Sequence, residues 1–377
     1  MKKRTFIITI VIIAILIIAI AAGIVVMQQM LNQKKQTNAN ESNVQNTNIE
    51  SNINEIENNN TTNTPNENST PIDENIVSEP ITKPTTTENY YYSQLDTYGK
   101  SIYNKLQQEK DKLKTGTYVF DFGTSFNTLL HSENGEETLN TAFQSAWNAF
   151  SYDQNDLFYI DINKINLIKE SRSLGGITTY YISIGPVNSG NYLQNDFQNQ
   201  ETIEKAEKYI NNITKQIKEQ TKNDTNIQKV KKVHDWLVSV IEYDQSEEEK
   251  SNKYNIYGAL HDKKAVCEGY ARSFKYIMEQ IGVPCVLVAG TAQNTTGNTE
   301  VHAWDYVQID ENWYAIDVTW DDPIINGDQT LSEDQKYKYF LKGSEEFFKN
   351  HTENGTLSEN SIKFTYPKLS TNNYNIQ

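Results

Sequence analysis

The sequence predicts an α+β chain whose folded part begins near residue 89, and three observations predict it. Stretches with apolar residues at helical spacing, such as Gln200 to Thr221 and Asn226 to Tyr243, are separated by polar loops. Two runs with period-two alternation, Val301 to Ile309 and Trp313 to Trp320, flank the short polar segment Asp310-Glu311-Asn312 and read as a hairpin. Aromatic residues are absent from Gln33 to Glu88 and return at Tyr90-Tyr91-Tyr92, where burial of a core becomes affordable.

The chain opens with Lys2-Lys3-Arg4 and a nearly unbroken apolar run from Phe6 to Met27. As a helix that run would be about 33 Å long, enough to span a bilayer. The basic residues before it place residues 1–5 in the cytoplasm and everything after 27 outside, as a single-pass signal-anchor. Ala19-Ile20-Ala21 resembles a small-x-small cleavage site, so a cleaved signal peptide and secretion is the rival reading; the length of the run favours the anchor. Residues 28–88, rich in Asn, Thr and Glu with scattered prolines, are expected to form a disordered linker.

The net charge is −15. Because the only charges ahead of the apolar run are basic, the exported part is more negative still. A surface of that sign excludes nucleic acid as a partner. Only two cysteines occur, too few for a disulfide-stapled secreted scaffold. Cys285 follows Pro284 and opens the apolar run Val286-Leu287-Val288, where it reads as a small buried residue of a strand.

Residues 89–224 are expected to form a smaller α+β region. Leu95, Ile102, Tyr103 and Leu106 mark one helix, and Thr138 to Phe150 another; Thr117 to Asn127 looks extended, and Phe158 to Ile162 and Ile177 to Ile184 look like strands. His131 reads as a surface residue, His234 as a packing or surface residue, and His261-Asp262 as part of a turn. Thr225 or Asp224 is the expected cap of the helix that follows.

Residues 225–377 hold the chemistry. Ala271, Phe274, Met278 and Ile281 recur at helical spacing, with Gly282 at the C-terminal cap position, which places Cys267 in the first turn of that helix. There the exposed N–H groups and the positive end of the helix dipole favour a thiolate and can serve an oxyanion. His302 and Asp317 lie on the two strands of the hairpin. A two-residue turn sets Asp317 across from Trp304 and on the face of His302, whereas a three-residue turn sets it on the other face. A thiol, a base and a carboxylate that orients the base are what nucleophilic acyl transfer needs.

Three segments carry a resemblance. Ala265-Val266-Cys267-Glu268-Gly269-Tyr270-Ala271-Arg272, His302-Ala303-Trp304-Asp305 and Trp313 to Pro323, supported by Tyr257 to Leu260, Tyr339-Phe340-Leu341 and Tyr366-Pro367, resemble the bacterial transglutaminase-like family of the papain-like cysteine-enzyme superfamily over about residues 226–375. More loosely, residues 90–106 and 142–158 resemble the region that precedes such domains in clostridial-type surface proteins. The resemblance implies a papain-like core, with the nucleophile helix packed on an antiparallel sheet. It also implies a triad of Cys267, His302 and Asp317, aromatic residues Tyr270, Trp304 and Trp320 lining or supporting a substrate cleft, and no metal or organic cofactor. Two positions depart from the family pattern: Asp305 stands where Asn is usual, and Glu311 where the turn usually has Gly. Asp321-Asp322-Pro323 reads as a turn rather than a cation site.

The expected function is a membrane-anchored thiol enzyme acting on amide bonds of surface proteins or cell-wall peptides, by hydrolysis or by transfer to an amine. The rival is a catalytically silent module that binds an envelope protein through the same cleft.

Overall fold

The computed structural model describes residues 89–246, 251–322, 332–355 and 360–375. The expected anchor and linker lie outside them, and among the described residues no helix is long and apolar enough to cross a membrane.

Helix α1 (Thr97–Gln108) is capped by Asp96, whose carboxylate accepts from Gly99 N–H at 2.6 Å. It buries Ile102, Tyr103 and Leu106 against α2 (Gly135–Asp153). Beside them β1 (Phe120–Gly123), β2 (Ile165–Leu174) and β3 (Ile177–Pro186) form an antiparallel sheet in the order β1-β3-β2. Asp153 at the end of α2 is buried and accepts from Tyr91 N–H, Tyr92 N–H and the Tyr103 hydroxyl at 3.0–3.1 Å. The Tyr91 hydroxyl donates to the carbonyl of Leu287, and that of Tyr90 to Thr365 O at 2.9 Å. Residues expected to form a separate region are thereby joined to the rest in one compact unit.

Helix α3 (Gln200–Thr221) follows the predicted bounds and α4 (Asn226–Val240) begins at Thr225, whose N–H donates to Gln228 Oε1 at 2.9 Å. The chain then enters β4 (Glu242–Tyr243), which pairs in parallel with β5 (Lys264–Ala265) just ahead of α5 (Cys267–Gln280). The main sheet has the order β8-β7-β6-β9, with β6 (Cys285–Gln293), β7 (Thr299–Ile309), β8 (Asn312–Ile316) and β9 (His351–Glu353) antiparallel throughout. Helix α5 packs on β6 and β7, the nucleophile-helix-on-sheet arrangement expected for the core. Gly282 ends it with φ 75°, as the spacing predicts.

Two expectations need correction, and one strand carries no sequence signal. Phe158 to Ile162 is a turn with one isolated bridge, Ile160 to Leu193, and not a strand; its apolar run packs rings, Phe158 lying against Phe197 and Tyr257. Strand β2 gave no alternating signal because it is exposed along most of its length. The strand after the hairpin turn stops at Ile316 rather than Trp320, because the Asp317 side chain turns the backbone by accepting from Trp320 N–H at 3.1 Å.

The hairpin register is the one on which the site depends. Asp305 pairs with Ile316 and Ile309 with Asn312, so the turn holds two residues, Asp310 and Glu311, at φ 48° and 66°. Two successive left-handed residues make a type I′ turn, which matches the twist of its strands.

Candidate active site

Cys267 is half-buried and is the first residue of α5, with Val266 as its cap. Val266 N–H donates to Lys253 O at 2.9 Å, which pins the loop before the helix. Gly269, two residues on, is required here: a Cβ would collide with the Lys253 carbonyl and with Ala265. The helix therefore presents its first N–H groups, unpaired within the helix, beside the thiol. Cys267 packs on Ala271, Leu287 and Ala303, together with Tyr152 of α2.

His302 on β7 is buried, and its Nε2 lies 2.7 Å from Asp317 Oδ2. Because Nε2 is committed to the carboxylate, Nδ1 is the ring nitrogen left for another partner. Burial by itself would lower the basicity of His302; Asp317, and then Cys267, outweigh it and raise the ring well above an ordinary histidine. Asp317 is fully buried yet held below the usual carboxylate range, because the donors His302 and His351 outweigh its desolvation. Its other oxygen, Oδ1, accepts from Trp320 N–H, so both oxygens are engaged.

Of the three expected cleft aromatics, one borders an open cleft, whose lining does not itself include Cys267 or His302. Trp320 is partly exposed, stacks on His302 at 4.9 Å between ring centroids, and borders a cleft of about 500 Å³ with Tyr243, Glu300, Asp322 and Tyr339. Trp304 and Tyr270 are fully buried and work from beneath: Trp304 packs under His302, and the Tyr270 hydroxyl donates to Asp322 Oδ2 at 2.7 Å. Burial raises the Asp322 carboxyl to about 6.

Sequence reasoning missed Tyr152, Tyr243 and His351. Tyr243 sits next to the nucleophile through the β4–β5 pairing, and burial, then the neighbouring Cys267, push its phenol up to about 12. Tyr152 is raised by burial as well, with Glu268 and Cys267 adding to it. Both phenols remain neutral near the thiol. Arg272 lies over the Tyr152 ring, pairs with Glu268 at 2.8 Å and donates to Ser151 O at 2.7 Å. The N-terminal part thus supplies one wall of the site. Tyr243 could have been found as the residue ending the predicted helix before the nucleophile; Tyr152 and His351 carry no local signal.

The remaining histidines take other places. His234 is wholly buried, with Nε2 3.1 Å from Asp321 Oδ2 and Nδ1 3.0 Å from Asp235 Oδ1, and it ties the turn after Asp317 to α4. His261 is exposed beside Asp262, and His131 bonds Asn127 O at the surface; neither enters the site. Asp321 is used by His234 and Tyr339 N–H, and Asp322 by Tyr270, as a turn would use them. His302, Asp317 and His351 place donor atoms within 4.8 Å of one another, yet both histidine nitrogens already bond the one carboxylate oxygen. The set is self-satisfied as a hydrogen-bonded cluster.

The two cysteines are both thiols. Cys285 is fully buried, its sulfur 3.6 Å from Asp305 Oδ1, and burial pushes it far up.

Residues 211–318, which include Cys267, His302 and Asp317, match the transglutaminase-like superfamily. That stretch is similar to a transglutaminase-like domain. Among solved structures, a TGase is similar at 17% identity, with 50% of this chain and 52% of that one covered and a TM-score of 0.29. A candidate cysteine protease from Cytophaga hutchinsonii is similar at 12% identity, over 43% of this chain and 68% of that one, with a TM-score of 0.25. The periplasmic domain of TgpA from Pseudomonas aeruginosa is similar at 14%, over 42% and 66%, with a TM-score of 0.24. The chain spans about half the length of the TGase. No curated protein matches it.

Proposed function

We propose that this protein is a thiol enzyme that cleaves or exchanges amide bonds through Cys267, His302 and Asp317. The observation that carries the reading is the His302 imidazole, hydrogen-bonded at 2.7 Å to a buried, ionised carboxylate and raised in basicity by Asp317 and by the neighbouring Cys267. His302, raised by Asp317, takes the thiol proton, and the thiolate attacks a substrate carbonyl carbon. The N–H groups at the start of α5 and the Tyr243 hydroxyl stand ready to donate to the oxyanion. On collapse the imidazolium returns its proton to the leaving amine, which departs and leaves a thioester on Cys267. Water or a second amine, deprotonated by His302, then attacks the thioester and frees the thiol.

The rest of the proposal concerns place and substrate. The apolar run 6–27 would anchor the chain and 28–88 would tether the enzyme outside the cell, where surface proteins or cell-wall peptides supply the amide. Incubating the full chain in detergent with a glutamine- or amide-bearing peptide and a labelled primary amine separates the outcomes. Incorporation of the amine supports acyl transfer, and release of ammonia or a free peptide end supports hydrolysis. Absence of both, with a thiol at Cys267 that shows no dependence on His302, would leave a binding module.

A further inference from the structure

His351 lies outside the expected triad and yet touches it. Strand β9 brings it there by pairing with β6, Ala292 opposite His351 and Gly290 opposite Glu353. Gly290 is what allows the approach, since a Cβ there would strike the Thr352 carbonyl and the Trp304 ring. The imidazole is fully buried, stacked on Phe347 at 4.0 Å between centroids and flanked by Trp304, Trp320 and Tyr339. Its Nε2 lies 3.2 Å from Asp317 Oδ2, the same oxygen that bonds His302.

We propose that His351 is a positioning residue for the thiol chemistry: a neutral imidazole that donates Nε2–H to Asp317 and so keeps that carboxylate ionised and aimed at His302. The inference rests on the catalytic reading of Cys267 and His302. An ionised carboxylate can only accept, so the nitrogen facing it carries a hydrogen. The titratable groups acting on His351 are Asp317 and His302. Burial lowers it first, Asp317 favours its cation, and the neighbouring His302 cation opposes that; the balance keeps the ring neutral. A neutral ring then has a bare Nδ1. That atom lies 2.9 Å from the Asn350 side-chain oxygen, while the Asn350 nitrogen is 3.0 Å from the Tyr339 hydroxyl. A half-turn of the amide makes Asn350 a donor to Nδ1 and an acceptor from Tyr339, satisfying all three groups.

With two donors on one oxygen, Asp317 has little tendency to draw the proton away from His302, and the proton given up by Cys267 stays on the imidazole that must later deliver it. The test is the pH profile of Cys267 alkylation in the full chain, with His351→Leu and His351→Gln. Gln places an amide N–H near the position of Nε2 and Leu does not. The expected result is a loss of about tenfold in the pH 6 labelling rate for His351→Leu, with His351→Gln within about twofold of wild type, as one hydrogen bond to a charged group predicts. Equal rates in all three proteins, or equal losses in both variants, would overturn the proposal. If wild-type labelling does not depend on His302, the catalytic reading fails by itself. In that case, or if His351→Leu does not fold, nitrogen chemical shifts of wild-type His351 decide. Protonation at Nε2 alone at pH 7 to 8 supports the proposal; an imidazolium or the other tautomer there contradicts it.

Discussion

The two faces of the β7–β8 hairpin carry the same residue types and opposite chemistry. On one face Asp317 is fully buried and ionised beside His302, with Cys267 at the end of the line. On the other, Asp305 is just as buried, with Cys285 as its neighbour. Burial penalises both carboxylates alike. Asp317 receives hydrogens from His302, His351 and Trp320 N–H, while among the described residues Asp305 Oδ2 has no hydrogen-bond partner. Desolvation therefore wins at Asp305, and even the influence of Lys275 does not prevent its carboxyl from rising far above the usual range. Asp305 is thereby biased toward its neutral, protonated form. The donors around a buried acid, more than its depth, decide its charge.

That contrast can be broken at several points. Asp317→Asn keeps the size of the side chain and removes the charge, so His302 loses its main support. Labelling of Cys267 at pH 6 should fall by about 10³-fold or more, as removal of an orienting carboxylate does elsewhere. His302→Ala should cost about 10²-fold or more in the same assay, since the proton acceptor is gone while the helix N-terminus remains.

Asp305→Asn should leave that labelling within about twofold of wild type and change the pH dependence of stability instead. A carboxyl raised on folding contributes stability that is complete below the unfolded value, about 3.9, and is lost as pH rises toward the folded value. Asn has no such proton. Thermal melts from pH 5 to 8 should show the variant gaining on wild type with rising pH, by at most about 1.4 kcal/mol per unit. A constant difference would mean that Asp305 is ionised after all. The smallest effect is expected at the hairpin turn. Glu311 holds φ 66°, so Glu311→Gly should stabilise the fold by about 0.5–1 kcal/mol in chemical denaturation and leave reactivity unchanged.

Much of this was readable from local pattern. The helix that Cys267 opens, its glycine stop and the hairpin follow from periodicity and turn residues, because each is decided within a few residues, whereas the pattern alone allowed a two- or a three-residue turn. What could not be read lies at long range or runs against the pattern. His351 reaches Asp317 from 34 positions away through β9, a strand of three residues with no alternation to announce it. Tyr152 arrives from α2, far upstream, with a spacing that says only that it is on a helix. Trp313 to Trp320 alternates like one strand, but a side chain bonding its own backbone ended the strand early, and the residue that did so is Asp317. Local rules gave way there because the carboxylate serves the site.

The most direct test of the account compares iodoacetamide alkylation at Cys267 and Cys285 across pH 5 to 9, read by mass spectrometry on the folded chain. The account predicts labelling of Cys267 at pH 6 that is lost in His302→Ala, with Cys285 silent until the protein unfolds. Labelling of Cys267 that follows an ordinary thiol profile and ignores His302 would contradict it.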